Sequence, residues 1–341
     1  PIVSCVKFVY TYHLIIFYFI AGYFYKEEKY GDKPFEYFCN TLKKNWTKYM
    51  FWSILIIIFH NFFIQNNFYF NIPKYNCIDD YIVAITNASI LKNTELFAGA
   101  LWFVPTLILA SGLFALTIYI ARKMSVEVQK RIKNIQNDNI KYIIITMISI
   151  IVGTLGVYLN ENKTELEYAF HTSLLVLPIY TMAYFYKIFI SKIKKIDKWY
   201  IWIILLILST MFLCFMVSNN EVLIELSDEK IINGPMFYIV SIIGICFCIS
   251  ISKIIEKIPV INEDFITIGK HSFSIMALHF ACIKGIDVIY SKLINQTNPQ
   301  IISKWVSSYP QKLWVIYTIV GVMIPTLISI TLHKFKNSIK K

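Results

Sequence analysis

The chain reads as an all-α, polytopic transmembrane helix bundle of about nine spans, and three observations carry that reading. Of 341 residues, 57% are hydrophobic and only 16% charged, with a mean hydropathy of +0.56, whereas a soluble domain has roughly one quarter charged residues. Apolar runs of about 20 residues, the helical length that crosses a hydrocarbon core of about 30 Å, recur along almost the whole sequence. The connections between these runs alternate in charge.

Taken in order, the first run, residues 9–25, is rich in Ile, Phe and Tyr and stops at Lys26. The second, 49–65, follows the basic group Lys43, Lys44 and Lys48. Residues 99–121 end at Arg122, and 142–159 begin just after Lys141. The runs 172–190 and 199–217 flank a basic connection, and Trp199 and Trp202 open the second of them, as rings at headgroup level do. Residues 234–252 close at Lys253, 271–290 follow Lys270, and 314–332 lead into a basic tail.

The connections around 26–48, 122–141, 187–198 and 253–270, with the tail after His333, hold 24 of the 33 Lys and Arg. That side nets +14 and the other −2. By the positive-inside rule the first side is cytoplasmic, and so is the C-terminus. Nine spans then put Pro1 outside, so a chain starting in the cytoplasm needs one more helix upstream, ten in all. Residues 1–341 read as a single transmembrane domain, with 66–98 as an outer loop that mixes Asn, aromatics and Pro73.

Several function classes fall away. The net charge of +12 sits between hydrophobic runs, where it sets orientation, so no nucleic-acid partner is expected. Seven cysteines without paired C-x-x-C spacing argue against a disulfide framework or structural zinc, and no metal is expected. There is no G-x-x-x-x-G-K-[ST] loop, no G-x-S-x-G elbow and no H-E-x-x-H helix. Nothing in the sequence specifies an oligomer.

Ionisable groups within the spans are the candidates for chemistry, because each costs a few kcal/mol at mid-bilayer unless it has a partner or a purpose. His279 lies mid-way along 271–290, His60 in the outer half of 49–65, and His13 near the outer end of the first run. Each can be a hydrogen-bonded structural imidazole or part of a site. Lys284 and Asp287, three apart on one helix, can neutralise each other or bind an anion. Lys43, Lys44 and Lys48 serve as a topology signal or meet phosphate groups at the inner mouth.

Three stretches resemble the acyltransferase family 3 membrane proteins: HLIIFYFIAGYFYKE from His13, GALWFVPTLI around Trp102, and IGKHSFSIMALH from Ile268 to His279. His13, Gly22, Trp102, Phe103, Pro105, Gly269, Lys270, Ser272 and His279 match the pattern in the family's order. Ile15 stands where Pro is usual, Ala21 where Ser is usual, and the three lysines where an arginine-rich stretch is usual. The family's first helix, with the His thought to act in transfer, has no counterpart in the chain.

The resemblance implies an acyltransferase of a bacterial cytoplasmic membrane. It moves an acyl group, usually acetyl, from cytoplasmic acetyl-CoA to a sugar hydroxyl of an envelope polysaccharide or glycolipid. His13 and His279 are the expected catalytic residues, Trp102, Phe103 and Ser272 the expected substrate contacts, and Lys43, Lys44 and Lys48 the expected holders of the coenzyme A phosphates. Three rival readings stay open: a transporter or flippase of a lipid-linked sugar precursor, a non-catalytic membrane sensor, and a membrane acyltransferase of another family built on one intramembrane His.

Overall fold

The computed structural model describes residues 7–69, 71–93, 95–131, 137–164, 166–193, 198–219, 224–226, 230–231, 233–295 and 307–339. Almost all of them are helical, and the one sheet among them is a two-stranded antiparallel pairing of β1 (Ile224–Glu225) with β2 (Lys230–Ile231). Apolar side chains all round the helices leave lipid as the medium, and within lipid a helix satisfies its own backbone groups.

By internal contacts the chain forms two units, residues 1–44 with 105–258, and residues 45–104 with 259–341. The elements in chain order are α1 (Ile15–Tyr23), α2 (Glu27–Tyr30), α3 (Pro34–Ile58), α4 (His60–Gln65), α5 (Ile78–Ser89), a 3₁₀ turn (Leu96–Trp102) and α6 (Phe103–Arg131). Then come α7 (Asn137–Glu161), α8 (Phe170–Leu175), α9 (Leu177–Phe185), α10 (Trp199–Asn219), α11 (Gly234–Ile255), α12 (Pro259–Lys270), α13 (Ser272–Leu293) and α14 (Pro310–Ile339).

Six of the described helices are long and apolar enough to cross a membrane: Leu96–Arg131, Asp138–Glu161, Trp199–Asn219, Gly234–Ile255, Ser272–Leu293 and Pro310–Ser338. The pair Glu167–Leu175 and Leu177–Ile190, bent by 44°, is apolar enough to cross only when its two helices are taken together as one span. The bend falls just before Pro178, whose ring cannot sit inside a straight helix without losing a hydrogen bond. The other two expected spans are helical but interrupted. Residues 9–25 form a turn and the nine-residue α1, and 49–65 belong to α3 and α4, broken at Phe59.

In the first unit α1 packs on α9 and α11, α7 on α8 and α9, and α10 on α11. Small residues set these distances. A Cβ on Gly22 would lie 2.7 Å from the Tyr180 carbonyl oxygen, and one on Gly156 would lie 2.3 Å from the Leu175 amide, so only glycine lets the backbones approach that closely. The buried hydroxyls of Tyr18 and Thr106 pair at 2.8 Å, and those of Ser149 and Thr181 at 2.5 Å.

In the second unit α13 packs on α14 and on the 3₁₀ turn. Here α5 lies against α3 in the opposite sense. Asn61, just past the end of α3, donates to Tyr75 O at 2.8 Å and to the Tyr81 hydroxyl at 3.1 Å. Trp46, far down α3, donates from Nε1 to Ser89 O at 2.8 Å, and Asn93 donates to the Ser53 hydroxyl at 2.9 Å.

Candidate functional site

The expected site residues divide between the units: His13, Lys43 and Lys44 in the first, and Lys48, Trp102, Phe103, Ser272 and His279 in the second. Within the second unit several come together. The 3₁₀ turn that ends in Trp102 packs on α13, the helix that starts at Ser272 and carries His279. Lys48 Nζ stands 5.4 Å from the centre of the Phe273 ring, which draws it to the start of the same helix. Phe103 is only 3% exposed and belongs to the packed core, whereas Trp102 is half-buried and keeps open surface. Lys43, Lys44 and Lys48 all present exposed ammonium groups along α3.

The chemistry of His279 follows from its partners. Nδ1 lies 3.0 Å from Ile275 O and 3.0 Å from Met276 O, both backbone carbonyls of its own helix. Carbonyls only accept, so Nδ1 is the protonated nitrogen and a neutral ring keeps its lone pair on Nε2. No partner holds Nε2 among the described residues, and the ring is half-buried beside Phe280, 4.2 Å away. Across the seam with α14, a Cβ on Gly321 would lie 3.8 Å from that of His279, so a small residue leaves space there. An imidazole fixed at one nitrogen and open at the other is the arrangement a general base requires.

His60 contrasts with it. The ring is 3% exposed, its Nδ1 lies 3.0 and 3.1 Å from the two carboxylate oxygens of Glu95, and its Nε2 lies 3.0 Å from Pro73 O. Tyr69 and Tyr75 donate their hydroxyls to the same carboxylate at 3.1 and 2.7 Å. Tyr75 also stacks on the imidazole at 3.7 Å. Burial, then the Glu95 charge, push the Tyr69 phenol up, so it remains a neutral donor. With both nitrogens occupied, His60 offers no lone pair to a substrate and acts as a staple. The sequence signal for its partner was present, since Glu95 is an acid entering the apolar stretch LFAGALWF.

His13 sits in the turn before α1, its amide donating to Val9 O at 3.0 Å and its ring tilted against Tyr10 at 4.7 Å. Lys284 and Asp287 do pair, at 3.3 Å, and both are buried. Asp287 also accepts from the Ser308 amide and hydroxyl at 2.9 and 3.0 Å and from the Tyr317 hydroxyl. A carboxylate so fully occupied ties α13 to the start of α14, and Lys284, which also donates to the Ser308 hydroxyl at 3.4 Å, is held in the same network.

The first unit has a charged network that spacing along the sequence does not reveal. Glu27 accepts from Lys141 at 3.0 Å, from Arg122 at 3.4 Å and from the Tyr184 hydroxyl. Arg122 also reaches Asp32 at 2.7 Å, and Lys141 reaches Asp138 at 3.3 Å. With Lys123 these groups line a cavity of about 270 Å³. Every cation in it faces a carboxylate, so the network first of all joins α2, α6, α7 and α9. Among the described residues no group of three or more His, Cys, Asp and Glu has an arrangement suited to a metal ion.

The described residues define a polytopic helical membrane protein in which one intramembrane imidazole, that of His279, is held through Nδ1 by its own helix. The family model of the acyltransferase domain, acyltransferase family 3, matches residues 2–334, and the chain belongs to that family. The match does not bear out the expectation of a lost upstream helix. No curated protein and no solved structure matches the chain.

Proposed function

We propose that this membrane acyltransferase moves an acetyl group from cytoplasmic acetyl-CoA to a sugar hydroxyl of an envelope polysaccharide or glycolipid, with His279 as general base. The observation that carries this reading is the ring of His279, held at Nδ1 by its own helix and open at Nε2. In the step, Nε2 takes the hydroxyl proton while the sugar oxygen attacks the thioester carbonyl carbon. The C–O bond forms, the C–S bond breaks, and the coenzyme A thiolate leaves and takes up the proton. Trp102 and Ser272 shape the acceptor side, and Phe103 backs them from the core. Lys43, Lys44 and Lys48 hold the donor's phosphates as point charges.

The family membership supports the acyl chemistry, and the exposure of the three lysines supports a phosphate-bearing donor. The test is purified protein in lipid vesicles with radiolabelled acetyl-CoA and an oligosaccharide acceptor. Acceptor-dependent release of free coenzyme A with label on the sugar is the expected result. Movement of a lipid-linked sugar without consumption of acetyl-CoA would instead establish a transporter, and the reading would fall.

A further inference from the structure

The segment from Cys77 to Asn93 was expected to lie on the outer surface, but its contacts follow α3 downward. Its start is beside Asn61 and the end of its helix is beside Trp46. At 1.5 Å of rise per residue those two positions are about 20 Å apart along the helix, two thirds of a core of about 30 Å. The chain then turns back, and Asn93 meets Ser53.

The turn is built as an apolar medium requires. Leu91 takes φ 63°, the Leu91 amide donates to Ala88 O at 2.8 Å, and the Lys92 amide donates to Asn87 O at 2.9 Å. These two hydrogen bonds close the helix end on itself. Ser89 O is taken by Trp46, and the side chain of Asn93 both donates to Ser53 and accepts from the Glu95 amide at 2.9 Å. No charged residue occurs from Tyr81 to Leu91.

The two faces of α5 differ. Ala84 and Ala88 are buried, while Ile78 and Val83 are 75% and 59% exposed, and Ile82 and Ile90 are exposed with them. Along α3 and α4, Phe51, Ile58 and Phe62 are exposed as well, and so is Phe59 between the two helices. The medium around that belt is lipid in a membrane protein, and it extends over α5.

We propose that residues 77–93 form a re-entrant hairpin immersed in the bilayer, entering from the side of His60 and turning back near the level of Trp46, with the aliphatic face of α5 against lipid chains. The His60–Glu95 cluster fixes its mouth, and the hairpin leads straight into the 3₁₀ turn that sets Trp102 against α13.

Spin labels test this in chains whose other cysteines are replaced by serine, with the label at native Cys77 or at I82C, V83C or I90C, all in phospholipid vesicles. Collision with oxygen, which concentrates in lipid, is compared with collision with a water-soluble nickel chelate. The expected result is chelate access at Cys77 and at least a tenfold preference for oxygen at the other three sites. Chelate access at Ile82 or Ile90 equal to that at Cys77 overturns the proposal. Hydrogen exchange on the unaltered chain in vesicles is a second readout that needs no substitution: slow exchange from Tyr81 to Leu91 supports immersion, and exchange within seconds overturns it.

Discussion

His60 and His279 are both histidines on apolar helices of the same unit, and the sequence presents them almost alike. One has a carboxylate at one nitrogen and a carbonyl at the other, while the second has carbonyls at one nitrogen and, among the described residues, no partner at the other. The difference teaches that an intramembrane imidazole is read by which of its nitrogens remain open. A fully occupied ring stabilises, and a half-occupied ring can move a proton.

The strongest way to break that comparison is to remove each imidazole in turn. His279→Ala should lower transfer by roughly 10²–10⁴-fold, the usual contribution of a general base, and leave the thermal midpoint in detergent nearly unchanged. Steady-state assay of acetyl-CoA consumption beside a thermal melt reads both, and wild-type rates would remove His279 from the mechanism.

Glu95→Ala should do the reverse. Leaving His60 buried without its carboxylate costs about 3–5 kcal/mol, so the melt should fall by several degrees while turnover per folded molecule stays close to wild type. Loss of turnover without loss of stability would make the His60 cluster part of the chemistry and erase the contrast.

The glycines sharpen it on a smaller scale. Gly22 and Gly269 both belong to the resemblance, yet a Cβ on Gly22 meets the Tyr180 backbone at 2.7 Å and one on Gly269 meets nothing within 4 Å. Gly22→Ala should cost about 1–3 kcal/mol through overpacking, whereas Gly269→Ala should leave the denaturation midpoint in place.

The smallest effect concerns the mouth of the hairpin. Asp80 accepts from the Asn76 and Cys77 amides at 2.7 and 3.2 Å, and these bonds hold its carboxyl below the usual carboxylate range. A lowered folded value means that the stabilisation is present above the unfolded value of about 4 and is lost as pH falls through the folded one. Acidification below about pH 4 should therefore speed amide exchange at the start of α5, and Asp80→Asn should make that exchange insensitive to pH over the same range.

Composition and the alternation of basic connections determined the class of the protein, because lipid demands long apolar helices whatever they pack against. What the linear order could not decide was the pairing of His60 with Glu95, the joining of Glu27 to Arg122 and Lys141, and the meeting of Trp46 with Ser89 as α5 descends along α3. Each of these depends on residues 30 to more than 100 positions apart meeting across a helix seam, and hydrophobic periodicity records which face is buried without recording against what.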